Sequence, residues 1–127
     1  MPFPWIHISE RVYRIATVLY LILLFILSSI PTLPLPRIIQ YEDLVLHAIA
    51  YGVLYMLARR GFPRASSWTI LLFVFLYGLS DEIHQWFVPG RVCDPLDFVA
   101  DCAGGTIAMV ISRYTEGRAR SRDPEDA

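Results

Sequence analysis

Asp81, Glu82 and His84 stand within four positions of one another, with Gln85 next and Arg91 just past a Pro-Gly pair. Carboxylates and an imidazole so close together can pass a proton between them or share a cation. An arginine can clamp an anionic group through two parallel hydrogen bonds. On a helix, Asp81 shares a face with His84 and Gln85, while Glu82 points about 100° away. Glu82 and His84, two residues apart, do not meet on a helix, so this is not a His-Glu-x-x-His zinc pattern.

Two further groups match this cluster elsewhere in the chain. Asp43, His47, Tyr51 and Tyr55 repeat every four residues, as do Asp97, Asp101 and Gly105. Each series makes one stripe along a helix. His47 and His84 with one or two aspartates would form a plausible divalent-metal set. The spacing does not demand a metal, and the cofactor stays open. His47 is equally suited to be a hydrogen-bond partner of Asp101, and Tyr51 to be core. Asp97, just after Pro95, also fits the first turn of a helix, where the dipole favours an acid. Arg91 can pair with Asp94 or Asp97, or hold a phosphate.

These residues must be positioned by apolar elements. The chain has 127 residues, enough for one domain, of which 55% are hydrophobic and 18% charged. That balance points to a membrane protein. Four apolar segments run from Val12 to Ile30, Leu44 to Ala58, Ser66 to Val88 and Leu96 to Ser112. The first is a spanning helix by length alone. The purely apolar part of the third, Ser66 to Leu79, would rise only about 21 Å, short of the roughly 30 Å of hydrocarbon. Its acids and histidine therefore fall within the outer third of the span, where ionisable groups are expensive and mark function. The fold class expected is all-α, an integral membrane four-helix bundle. Residues 1–114 form the transmembrane domain, and 115–127 a disordered cytoplasmic tail rich in Arg, Asp and Glu.

All eleven arginine and lysine positions are arginines, and nine lie at the N-terminus up to Arg14, between the second and third segments, or after the fourth. The positive-inside rule places both termini in the cytoplasm. Arg37, in a Pro-rich loop, and Arg91 face outward. Trp86 and Phe87 suit the outer interface, Trp68 and Tyr114 the inner one. Counted from the cytoplasmic arginines, His47 and Asp101 each lie about 18 Å up, and Asp81 and Asp97 about 24 Å up. Three helices thus place ionisable groups in one outward slab, where they can satisfy one another. Ala100, Gly104 and Ala108 make a small-residue stripe that lets a neighbouring helix come close. The arginines are topology determinants, and no nucleic-acid module is present.

His47-x-x-x-Tyr51, the Tyr77-Gly-Leu-Ser-Asp-Glu-Ile-His-Gln85 block with Phe87-Val-Pro-Gly-Arg91, and Asp97-x-x-x-Asp101 with Gly104 together resemble the VanZ-like family. The Leu27-Ser-Ser-Ile-Pro31 exit from the first helix is similar too. The resemblance spans about residues 12–113. It implies a small multi-pass protein of the bacterial cytoplasmic membrane, related to an accessory factor in glycopeptide-antibiotic resistance, and no particular reaction. Three functions fit. The first is binding or modifying a phosphate-bearing envelope lipid or cell-wall precursor. In that reading His47, Asp81, Glu82, His84 and Asp101 are the catalytic candidates, and Arg91, Gln85, Asp97 and Tyr51 the ligand-binding ones. The second is a non-enzymatic scaffold whose polar network fixes helix packing, and the third a proton-coupled carrier. An open cavity among these groups favours binding or chemistry; mutual saturation without one favours the scaffold.

Overall fold

The chain's computed structural model describes residues 8–31 and 41–122. Arg37, Pro34 and Pro36 of the first loop, and residues 123–127 of the tail, lie outside them. Four helices make up the structure: α1 Glu10–Ser29, α2 Tyr41–Gly61, α3 Ser67–Trp86 and α4 Pro95–Arg122. No strand occurs among the described residues.

Local chemistry sets the helix limits. Ser66 caps α3, its hydroxyl accepting from the Thr69 N–H at 3.1 Å, which satisfies one of the donors a helix start leaves free. Ile30 is extended, as suits a residue before proline. Asp94 opens α4 by accepting from the Leu96 N–H at 2.9 Å. Between α3 and α4, the Arg91 N–H closes a turn on Val88 O at 3.1 Å. Gly90 takes φ 76° there, a value the third residue of a type II turn requires and glycine adopts freely.

The helices run up and down. Arg14 near the start of α1 donates to Gly61 O at the end of α2 at 2.7 Å. At the same end, Arg59 Nε and Nη2 grip both oxygens of Glu116, each at 3.0 Å. Its Nη1 reaches the carbonyls of Pro63 and Ala65, both at 3.1 Å. The Arg59–Glu116 fork also explains a difference from expectation. The segment after residue 114 was expected to be disordered, yet α4 continues to Arg122. Glu116 is held by Arg59 and by the Ser112 hydroxyl at 3.0 Å, so the first turn past the apolar stretch is anchored to α2.

Many large apolar residues lie on the outside, and several carboxylates lie inside. Leu19, Ile22 and Phe25 of α1, Leu46 and Ile49 of α2, Leu72 and Leu76 of α3, and Ile107 and Val110 of α4 are all exposed. A soluble monomer rarely carries an apolar surface of that extent. Exposed Trp86 and Phe87 mark one end of α3, and exposed Trp68 the other. Helix α1 and the Pro95–Ser121 stretch are long and apolar enough to cross a membrane by length and composition. The core gathers Tyr51, Leu54, Tyr55, Val74, Ala108 and Met109, while Asp81, Glu82, Gln85, Asp97 and Asp101 are also buried.

Candidate functional site

The site begins with a close helix crossing. A Cβ on Gly104 of α4 would stand 1.9 Å from Ala48 O of α2, and one on Gly52 would stand 3.3 Å from Gly104 O. Only glycine permits backbones this near. The crossing lies one residue from His47 and three from Asp101, and it delivers the two side chains to each other. His47 Nδ1 lies 2.8 Å from Asp101 Oδ1. Asp101 is fully buried, so its carboxylate accepting from the Nδ1–H joins α2 to α4 where water does not compete. The other ring nitrogen, Nε2, stands 3.7 Å from Asp97 Oδ2 one turn earlier on α4.

Glu82 joins this group from α3. Ligand atoms of His47, Glu82 and Asp101 all lie within 4.8 Å of one another. Glu82 Oε2 accepts from the Asp94 N–H at 3.2 Å, which ties the end of α3 to the start of α4. Glu82 Oε1, Asp101 Oδ2 and the Tyr51 hydroxyl are buried and meet no hydrogen-bond partner.

A cavity of about 160 Å³ adjoins the group between α1, α2 and α3. Leu24, Leu27, Leu46 and Ala50 supply apolar wall, and Ser28, His47, Tyr51, Asp81, Gln85 and Arg91 the polar remainder. Asp81 Oδ2 accepts from Gln85 Nε2 at 3.3 Å, both buried. Gly78 makes room above them, since a Cβ there would come within 3.1 Å of Asp101 Oδ2 and 3.2 Å of the Tyr51 ring.

Arg91 does not pair with Asp94 or Asp97. Its Nη2 donates to Leu27 O at 2.8 Å and its Nε to Ile30 O at 3.2 Å. The guanidinium therefore serves carbonyls that the C-terminus of α1 leaves free, where the helix dipole favours a cation. It remains on the rim of the cavity.

His84 is the main departure from the expected cluster. Its Nε2 hydrogen-bonds the Ser29 hydroxyl of α1 at 2.9 Å, and its ring lies 4.6 Å from that of Phe25. Successive residues on a helix turn by about 100°, and α3 sits between α1 and α4. Its Glu82 face turns to α4 and its His84 face to α1. His84 thus stands apart from His47 and Asp101, and Glu82 takes the place expected for it. Of the anticipated residues, His47, Glu82, Asp97 and Asp101 form one group. Tyr51, Asp81, Gln85 and Arg91 line the cavity with His47. Ser29, which meets His84, and Ser28, which lines the cavity, are not among the anticipated site residues, although their pair at the otherwise apolar end of α1 is the available signal.

The VanZ/LLP1 family model matches residues 39–115. That stretch is more than half of the chain and holds every anticipated site residue, from His47 to Asp101. No curated protein matches the chain, and no solved structure does. With the His47–Asp101 pair, the Asp81–Gln85 block and Arg91 all inside the matched stretch, the chain belongs to the VanZ-like family.

Proposed function

We propose that this protein spans the bacterial cytoplasmic membrane four times, termini inside, and binds the phosphate-bearing head group of an envelope lipid or cell-wall precursor. The orientation is supported by the gathering of Arg14, Arg59 and Arg60 at one end of the bundle, through Gly61, Glu116 and the Tyr13 ring. Positively charged ends remain cytoplasmic. The cavity then lies towards the outer leaflet.

The observation that carries the reading is the cavity itself, in which leucine walls end at His47, Asp81, Gln85 and Arg91. At about 160 Å³ it is smaller than the roughly 300–1,000 Å³ of sites that enclose whole small molecules. It suits a head group whose chains stay outside against Leu24, Leu27 and Leu46. Arg91 attracts the phosphate from the rim. Asp81 and the Gln85 carbonyl accept from hydroxyl or amine donors beside it. His47, oriented by Asp101, is the group suited to move a proton if the lipid is modified. A scaffold would have its buried polar atoms saturated. Tyr51, Asp101 and Glu82 each keep one without a partner, which weighs against that reading.

Lipid profiling of cells expressing the wild type, His47→Ala and Asp81→Asn at equal protein level tests this. The expected result is a change in a phosphate-bearing lipid that only the wild type produces or retains. Identical profiles in all three, with no lipid co-purifying with the wild type, would refute it.

A further inference from the structure

We propose that His47, Glu82 and Asp101 hold a divalent cation of the manganese-to-zinc class, beside the lipid cavity and reached from three different helices. The first support is convergence. One ligand atom from each residue lies within 4.8 Å of the other two, close enough for a single ion to bridge them after small side-chain rotations. The three come from α2, α3 and α4, so the arrangement is not a run of neighbouring acids on one element.

The second support is independent of proximity. Glu82 is 3% exposed and Asp101 0%, yet Glu82 Oε1 and Asp101 Oδ2 have no hydrogen-bond partner. Buried carboxylate oxygens are ordinarily paired or coordinated to a metal. Here two of them, from different helices, lack a donor in the same small region. Among the described residues, Arg59 is engaged elsewhere, with Glu116, and so is Arg91, with the carbonyls of Leu27 and Ile30.

Charge points the same way. Glu82, Asp97 and Asp101 surround a single imidazole. A doubly charged ion balances two of these carboxylates and binds their oxygens directly. The ring is also dressed as a ligand. Its nitrogens each face a carboxylate, Nδ1 at 2.8 Å from Asp101 and Nε2 at 3.7 Å from Asp97. With the ion on Nε2, Asp101 Oδ1 at 2.8 Å accepts the Nδ1–H and fixes the ring, as metal-binding histidines require. One imidazole with two carboxylates suits first-row divalent ions from manganese to zinc. Magnesium and calcium prefer all-oxygen sets, and copper(I) prefers thiolates.

The ion goes beyond lipid binding and does not depend on it. His47 belongs to both sites, so a bound cation would stand next to the head group and offset the repulsion between Asp81 and a phosphate.

The test uses the full chain purified in nanodiscs, stripped with chelator and titrated with Mn²⁺, followed by electron paramagnetic resonance, and with Zn²⁺, followed by calorimetry. No lipid ligand is added, so the result is read whether or not the lipid proposal holds. One ion per chain is expected, with a rise in melting temperature on adding metal to the stripped wild type. Glu82→Gln should lose at least about tenfold in affinity, and Asp97→Asn, which removes a carboxylate beside the ring and no proposed ligand, should lose less. Absence of stoichiometric Mn²⁺ and Zn²⁺ binding by the wild type would overturn the proposal. So would Glu82→Gln and Asp101→Asn variants that bind as the wild type does. Should those variants fail to fold, wild-type stoichiometry and metal-dependent melting decide alone.

Discussion

His47 on α2 and Asp101 on α4 are joined by a 2.8 Å contact between residues 54 apart in the chain. The pair sits where the backbones of Ala48 and Gly104 nearly touch. Removing one partner leaves the other in a site that was built around both. His47→Ala should cost about 3–5 kcal/mol, since it leaves a fully buried carboxylate unpaired. The double variant His47→Ala with Asp101→Ala should cost clearly less than the sum of the singles. Reversible unfolding in detergent measures this. Additive losses would mean that the pair is not coupled.

The helix crossing makes its own prediction. Gly104→Ala forces a methyl against Ala48 O and should destabilise by about 1–3 kcal/mol, as overpacking does. Gly117 on the same helix has nothing within 4 Å of the added carbon. Gly117→Ala should be neutral or gain up to about 1 kcal/mol from helix propensity. Thermal unfolding of the two variants side by side checks the contrast.

Much of this site was legible before the fold. The repeats His47/Tyr51 and Asp97/Asp101 follow from the turn of a helix, and their shared depth follows from counting residues down to the arginines. The small-residue stripe at Ala100, Gly104 and Ala108 marked a close helix contact, that of Gly104 with Ala48. The rotation of α3 about its own axis was not legible. Asp81, Glu82 and Gln85 are all buried, so α3 has two inward faces, and periodicity does not tell which of them meets α4. By helical face alone Asp81 groups with His84 and Gln85, whereas the fold brings Glu82 to His47 and Asp101. The role of α1 was hidden for a different reason. It contributes backbone carbonyls, to Arg91 through Leu27 and Ile30 and to Tyr77 through Leu21, beside the Ser29 hydroxyl at His84. Carbonyls are present at every position and leave no trace in residue identity. The helical continuation past residue 114 rests on a long-range partner, Arg59, which tail composition does not reveal.

Arg91 separates binding from capping. In Arg91→Lys the charge stays near the end of α1, but the forked pair of bonds to Leu27 O and Ile30 O is lost. Stability should fall by only about 0.3–1 kcal/mol, the scale of a charge at a helix end. Retention of a phosphate-bearing lipid should fall further than protein level does. A lysine variant that retains lipid as the wild type does would assign Arg91 to capping alone.

Topology is open to reporter fusions. Fusions after residue 62 and after residue 117 should read cytoplasmic, and one after residue 92 external. An external reading at 117 would reverse the orientation and put the cavity on the cytoplasmic side.

The most direct test of the site is selective binding by the purified protein. Native mass spectrometry can compare a polyisoprenyl phosphate with the polyisoprenol of the same chain length. Wild type should retain the phosphate more tightly, by about tenfold or more. Leu24→Trp, which fills the cavity, should abolish the preference while melting temperature stays close to wild type. Equal retention of phosphate and alcohol by the wild type, or an undiminished preference in the filled-cavity variant, would contradict a head-group site between α1, α2 and α3.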